Sequence, residues 1–274
     1  MAHPLWVVSF IKRIYPGRFA VAKATHVPLI GRIIDRWLFE GDDLMFLPSD
    51  RAVKKIHIDQ TIDKPDDMVM PSEVVDHFID QARYHWIMNF CICRTAEGCT
   101  DYPQELGCLF LGETAMSINP KIGQRVTKEE AREHVRRCRE AGLVHFVGRN
   151  KLDTVWMGVG PGDKLLTICN CCPCCCLWRV LPHLTSEIEA KFTRMPGVSV
   201  SVNDQCTGCG DCLQGVCFVD AIDLEDGRAV IGDMCKGCGR CVEVCPNGAI
   251  EISIDFDLYV DRSIARLDRL VDLL

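Results

Sequence analysis

Nineteen cysteines in 274 residues constrain this chain more than any other feature, because so many thiols must be accommodated by whatever fold forms. A disulfide scaffold is one way to do so, but cysteine at this density belongs to small, loop-rich secreted domains. The total here is odd, and Cys171-Cys172 and Cys174-Cys175-Cys176 are contiguous, which suits pairing badly because sequence neighbours rarely bridge without strain. The start of the chain argues against secretion as well. The apolar stretch 4–11 has no positive region before it, is followed by Lys12 and Arg13, and lacks a small-residue cleavage site. No apolar run reaches the roughly 18 residues that a membrane-spanning helix needs. Metal binding in a reducing, cytoplasmic compartment is the use that remains.

Composition narrows the partners. Apolar residues make up 48% of the chain, enough for a real core, and the net charge of -7 gives no reason to expect a nucleic-acid partner. One segment departs from this acidic balance: residues 1–36 carry Lys12, Arg13, Arg18, Lys23, Arg32 and Arg36 against Asp35 alone, interleaved with Trp6, Phe10, Ile11, Ile14, Tyr15 and Phe19. One reading is a peripheral contact with the inner face of an anionic membrane. The other is a strap packed on the body of the protein, with Pro4, Pro16 and Pro28 interrupting helix continuity.

The strongest local signal lies further on. Cys206-x2-Cys209-x2-Cys212-x4-Cys217 is followed by Cys235-x2-Cys238-x2-Cys241-x3-Cys245-Pro246. The second run repeats the first at an offset of 29 residues for three cysteines and 28 for the fourth, with Ala221-Ile222 and Ala249-Ile250 following at matching places. Two residues between thiolates let one tight loop present three corners of an iron-sulfur cube, and Gly208, Gly210, Gly237 and Gly239 let the backbone approach closely. Zinc would need only paired Cys-x2-Cys elements, not a duplicated triple run with a distal fourth cysteine.

These residues resemble a bacterial-type two-[4Fe-4S] ferredoxin domain. The resemblance implies that the fourth cysteine of each run serves the other cluster, so that Cys206, Cys209, Cys212 and Cys245 hold one and Cys235, Cys238, Cys241 and Cys217 hold the second. The sequence departs from the pattern at Phe218, where proline usually follows the fourth cysteine, and in the residue inserted before Cys217.

Upstream stand Cys91, Cys93, Cys99 and Cys108, and then Cys169, Cys171, Cys172, Cys174, Cys175 and Cys176. Their phrases resemble those of an uncharacterised group of 4Fe-4S binding proteins of anaerobes, a resemblance that implies iron-sulfur chemistry and no substrate. Neither phrase alone presents four well-separated thiols, so the two are expected to meet in space and hold one or two further clusters; structural zinc or free buried thiols are the bland alternative. Cys138, spaced from Val135 and Ala131 on an expected helix, reads as a core thiol. Arg94 is either a charge that raises a cluster potential or an ordinary surface residue. His77, His85, His134 and His145 read as packing or surface residues.

Local patterns supply the rest. A helix is expected from Ser72 with Val74, Val75, Phe78, Ile79 and Ala82 buried, and Thr127 to Glu130 is a capping box for a second helix that Gly142 ends. Residues 143–147 and 153–159 read as a hairpin, 41–71 as acidic loop with turns at 41–43 and 64–67, and 258–274 as an amphipathic helix with Ile264, Leu267, Leu270, Val271 and Leu274 on one face. This helix is expected to cover the ferredoxin region or a second subunit, which would make the chain an oligomer.

The fold expected from these readings is α+β, with a mainly helical cysteine-rich N-terminal domain and a C-terminal bacterial ferredoxin-like βαβ repeat. Its divisions are a basic, loop-rich segment (1–71), a cysteine-rich iron-sulfur domain (72–195), a two-cluster ferredoxin domain (196–257) and a C-terminal helix (258–274). The expected function is electron transfer through several [4Fe-4S] clusters, as a carrier or as a subunit of an anaerobic redox complex, towards a redox partner protein. The alternative is an iron-sulfur oxidoreductase, a reductase with its site at an unusual upstream cluster. No acid-base or nucleotide motif identifies catalytic residues.

Overall fold

The computed structural model describes residues 2–57 and 71–273. The chain opens with three helices, α1 (Leu5–Ile14), α2 (Arg18–Ala24) and α3 (Pro28–Ile34). The prolines punctuate them: Pro4 precedes α1, Pro16 lies in a 3-10 turn, and Pro28 takes the first position of α3, where a missing N–H costs nothing. Strands β1 (Asp43–Phe46) and β2 (Val53–His57) then occupy part of the stretch expected to be loop. The turn expected at 64–67 lies outside the described residues.

The central part of the chain contains α4 (Ser72–Gln81), β3 (His85–Met88), α5 (Ile92–Glu97), β4 (Leu109–Leu111), β5 (Gly123–Val126), α6 (Lys128–Glu140), β6 (Val144–Arg149), α7 (Lys151–Met157), β7 (Leu166–Cys171), α8 (Ser186–Glu189) and β8 (Phe192–Arg194). This corrects the expectation of a mainly helical cysteine-rich region. Six of these elements join β1 in a seven-stranded mixed sheet of order β5-β3-β4-β7-β6-β1-β8, antiparallel throughout except for the parallel pair β1 and β8. The strands escaped notice because they are short and several are buried on both faces. All of Leu109–Leu111 and Leu166–Cys171 are inaccessible, so neither shows the apolar and polar alternation by which a strand is recognised.

The expected hairpin at 143–159 is also corrected. Only its first half is a strand, and 151–157 form helix α7. Asp42 Oδ1 accepts the Lys151 N–H at 2.6 Å, and the Asp153 carboxylate gathers Asn150, Thr167 and Trp156 in the first turn, so residues distant in sequence supply the cap. Strand β6 pairs instead with β7, with Val144 opposite Cys171, and with β1 on its other edge. By contrast, the Thr127 and Glu130 capping box forms reciprocally at the start of α6.

Alternation along β7 divides the molecule. Leu166 and Ile168 face a core shared with α4 and α6, while Cys169 and Cys171 face the opposite side, towards Phe46, Phe146, Trp178 and the inner surface of the N-terminal helices. The rest of the chain comprises β9 (Val198–Val202), the hairpin β10 (Ile222–Glu225) and β11 (Arg228–Ile231), α9 (Arg240–Val244), β12 (Ile250–Asp255) and α10 (Phe256–Asp268). Strand β12 pairs antiparallel with β9 and parallel with β2 from the start of the chain, which adds a third strand to what would otherwise be a two-stranded ribbon. The ferredoxin-like part is thus a small C-terminal region on a larger body. Helix α10 ends at Asp268, short of the expected 274, and buries Leu267 beside α4; beyond it Val271 is buried, Asp272 donates to Asp163, and the Leu273 carbonyl accepts from Arg83. It therefore covers the sheet layer as well as the ferredoxin-like region.

Candidate metal centres

Two loops of the C-terminal region carry eight cysteines. Cys206, Cys209, Cys212 and Cys245 line a single pocket, which brings together three thiols from one loop and the distal thiol of the other. Backbone N–H groups point at the sulfurs: Ala229 at Cys206 (3.3 Å), Ala249 at Cys245 (3.2 Å), Ala221 at Cys217 (3.3 Å) and Gly237 at Cys235 (3.4 Å). Gly208 and Gly239 have no substitute. At φ +67° and +85°, a Cβ would stand 2.2 Å from the Gly227 carbonyl oxygen and 2.4 Å from Ala52 Cβ. The charges of Cys217, Cys235, Cys238 and Cys241 act on one another, and burial holds the Cys238 thiol up at about 12. The two sets adjoin through Cys212 and Cys241. Phe218 explains the missing proline: its ring is buried in the core, 5.8 Å from Phe46, and fastens the loop to the large sheet.

Upstream, the structure divides the cysteines into two groups. Helix α5 starts after Cys91, carries Cys93 and Arg94, and ends at Gly98 in the left-handed region, which turns the chain into Cys99. There Cys99 meets Cys172, Cys174 and Cys175, the four sulfurs all lying within 4.8 Å of one another. Cys99 and Cys174 are 3.6 Å apart, and Cys174 and Cys175 3.5 Å. Among the described residues no other three Cys, His, Asp or Glu ligand atoms come so close. Arg240, next to Cys241, bonds Tyr102 at 2.5 Å and the Gly142 carbonyl at 2.9 Å, and Tyr102 feels the charges of Cys174 and Cys172, so this group adjoins the ferredoxin-like loop.

The other group is Cys91, Cys93, Cys108, Cys169, Cys171 and Cys176, which line an apolar cavity of about 450 Å³ beneath the N-terminal helices; Cys172, one of the four thiols above, also reaches its wall. Cys108 donates to Cys169 at 3.8 Å, and this bond, with those from Cys171 and Trp178, holds the Cys169 thiol well below its ordinary range, while Cys108 and Cys171 are themselves raised well above theirs. Tyr15 closes one side, donating its hydroxyl to the Cys175 carbonyl at 2.8 Å. Asp153 is buried nearby, and burial together with the Cys169 charge pushes its carboxyl up to about 7. Residue order alone concealed Tyr15, Asp153 and Trp178, since nothing local marks any of them.

Arg94 lies between the groups and is fully buried. Its guanidinium donates to the carbonyls of Pro103 (2.8 Å), Asn170 (2.8 Å) and Leu106 and has no carboxylate partner among the described residues. Burial alone would lower its pKa, but the charges of Cys91, Cys172, Cys171 and Cys108 outweigh that and raise it. The surface-residue reading of Arg94 is therefore wrong. A buried cation with no carboxylate beside it favours the thiolate form of a neighbouring cysteine, which is the form that binds metal. Cys138 sits in the core on α6, with its thiol pushed up to about 12 by burial. None of the four histidines joins a ligand group: His77 is exposed, and His85, His134 and His145 bond Ile79, Gly107 and Asn170.

Residues 229–251 match the 4Fe-4S binding domain family, which covers β11, the second cysteine loop and the start of β12. No curated protein and no solved structure matches the chain. The chain thus binds iron-sulfur through this region. The void framed by Cys206, Cys209, Cys212 and Cys245 and the N–H groups bonded to the Cys206 and Cys245 sulfurs fit such a cluster, whose irons take thiolates and whose sulfurs take hydrogen bonds.

Proposed function

We propose that this protein transfers single electrons among iron-sulfur centres, two held by the cysteines of residues 206–245 and a further one by the six thiols around the cavity. A bound cluster supplies a site that gains and loses one electron with little reorganisation. The chain's residues do the rest. Backbone N–H groups and Arg94 favour the more negative, reduced state, and burial raises the cost of that charge, so the two effects oppose one another in setting potential. Phe218, Phe46, Phe146 and Trp178 pack in one aromatic group that starts beside Cys217 and ends on Cys169, which supports a short, water-free route between the centres. Cys209 is exposed, with Asp220, Asp223, Glu225 and Asp226 exposed in the same region, a surface suited to a partner with a basic docking patch.

The observation that carries this reading is the convergence of these six cysteines, with Cys172 at the same wall, on one cavity beside a buried cation that has no carboxylate partner among the described residues. A reductase, with an acceptor molecule inside that cavity, is favoured by one feature: the cavity runs from the thiols out to the exposed side chains of Phe10, Ile14 and Val21.

The test is iron and acid-labile sulfide per chain after anaerobic purification, with EPR of the reduced protein. Iron above about eight atoms is expected, more than two four-iron clusters hold. Cys171→Ser is expected to lower iron and sulfide together and to spare the signal of the ferredoxin-type pair. Unchanged iron in that variant overturns the reading. Reoxidation by small apolar oxidants that Cys171→Ser abolishes selects the reductase; reoxidation by protein acceptors alone selects the carrier.

A further inference from the structure

The four thiols of Cys99, Cys172, Cys174 and Cys175 are spaced unlike the other cysteines. Four thiolates about one tetrahedral ion, each about 2.3 Å from it, stand about 3.8 Å from one another. On a cubane each thiolate sits on a different iron and points outward from its corner, so the sulfurs stand much farther apart. The ferredoxin-type cysteines behave in the second way: no three of their sulfurs fall within 4.8 Å, and four of them surround a void. Cys99, Cys172, Cys174 and Cys175 behave in the first way, all within 4.8 Å and with closest pairs at 3.5 and 3.6 Å. We infer that this group holds one tetrahedrally coordinated metal ion, zinc or iron, and no cluster.

Four thiolates close the coordination shell and leave no open position, which is the mark of a structural site. Its position agrees. The ion would tie the end of α5 to the turn that follows β7, next to the contact between Tyr102 and Arg240. The cysteine inventory then divides into eight thiols for the ferredoxin-type pair, six for the cavity, four for the single ion, of which Cys172 also touches the cavity wall, and Cys138 in the core.

This inference stands apart from the electron-transfer reading, and the sulfide content separates them. In the full-length protein purified anaerobically, Cys174→Ser is expected to lose one zinc or one iron per chain with acid-labile sulfide unchanged. Cys138→Ser, in the same core, is the control that loses neither. Loss of several irons with an equal amount of sulfide, or no loss of metal, overturns the assignment. Should Cys174→Ser fail to fold, displacement of the ion by cobalt in the intact protein gives the same decision, because tetrahedral four-thiolate cobalt has intense visible absorption and its absence at one equivalent counts against the site.

A different observation carries a second proposal. Ten of the large apolar side chains that stand exposed among the described residues lie between Leu5 and Trp37. Trp6, Phe10 and Ile14 form one stripe of α1, and Leu29, Ile33 and Trp37 another on and just beyond α3, with Trp6, Leu29 and Trp37 66, 74 and 67% exposed. Arg13, Lys23, Arg32 and Arg36 stand exposed among them without an ion pair among the described residues, while Asp35 is taken by Lys191. Aromatic side chains set among unpaired cations are what an anionic bilayer surface binds. We propose that the N-terminal helices seat on such a surface, and the cavity mouth at Phe10, Ile14 and Val21 then faces the acyl layer. The full chain is expected to sediment with phosphatidylglycerol-containing vesicles and not with phosphatidylcholine alone, and paired Trp6→Ser and Trp37→Ser substitutions are expected to weaken binding about tenfold. No binding to the anionic vesicles at low salt, or a dimer in light scattering that the same substitutions dissolve, overturns it.

Discussion

Arg94 shows how much one residue decides. Its three carbonyl contacts occupy its donors, and the largest opposing charges that act on it are those of Cys91, Cys172, Cys171 and Cys108. Removing it should therefore act on the redox centre before it acts on the fold. A buried positive charge stabilises whichever redox state is more negative, so Arg94→Gln is expected to lower the midpoint potential of the cavity centre, while Arg94→Lys, which keeps the charge and loses the fork of donors, shifts it less. Potentiometric titration followed by EPR reads this out, and an unchanged potential and iron content in Arg94→Gln would show that the cation is not coupled to the centre. Phe218 makes the same point about packing. A proline there would complete the ferredoxin pattern but leave empty the aromatic site against Phe46, a site whose loss costs about 3–5 kcal/mol in comparable cores.

Helix α7 is the element that local pattern misassigned, and its capping predicts a pH-dependent stability. Burial raises the Asp42 carboxyl to about 7, partly offset by the Lys151 N–H that it accepts, and its second oxygen has no partner. The folded chain therefore holds a proton that the unfolded chain releases near 4. Between these values the folded state binds more protons than the unfolded, so stability falls as pH rises, by at most about 4 kcal/mol across the window. Asp42→Asn keeps an oxygen for the Lys151 N–H and cannot ionise. Its melting temperature is expected to vary less than that of the wild type between pH 5 and 7, and an identical slope would assign the dependence to other groups. By contrast the capping box of α6 lies within four consecutive residues, which is why it was legible in advance.

Across the whole molecule the cavity thiols sit at the junction of three layers. The seven-stranded sheet offers Cys169 and Cys171 from its central strand β7, the N-terminal helices cover the cavity, and the ferredoxin-like region attaches through Phe218, Arg240 and the pairing of β12 with β2. One apolar core runs from α4 through β12 to Cys212 and Cys241. The ferredoxin-like region therefore shares apolar packing with the rest of the chain.

Spacing alone determined the iron-sulfur chemistry of residues 229–251, because a cluster loop is local: three thiolates, two-residue gaps and left-handed glycines all lie within one turn of chain. Spacing also required the two upstream phrases to meet, since neither offers four well-separated thiols. It could not tell which thiols meet. Residues 169–176 part in two directions because β7 alternates Cys169 and Cys171 to one face, while the turn after it carries Cys174 and Cys175 towards Cys99, with Cys172 between the cavity wall and that group. Strands three to six residues long and buried on both faces leave no periodic signature, so the sheet that sets those directions, and with it the division of the thiols, was decided only by tertiary contact.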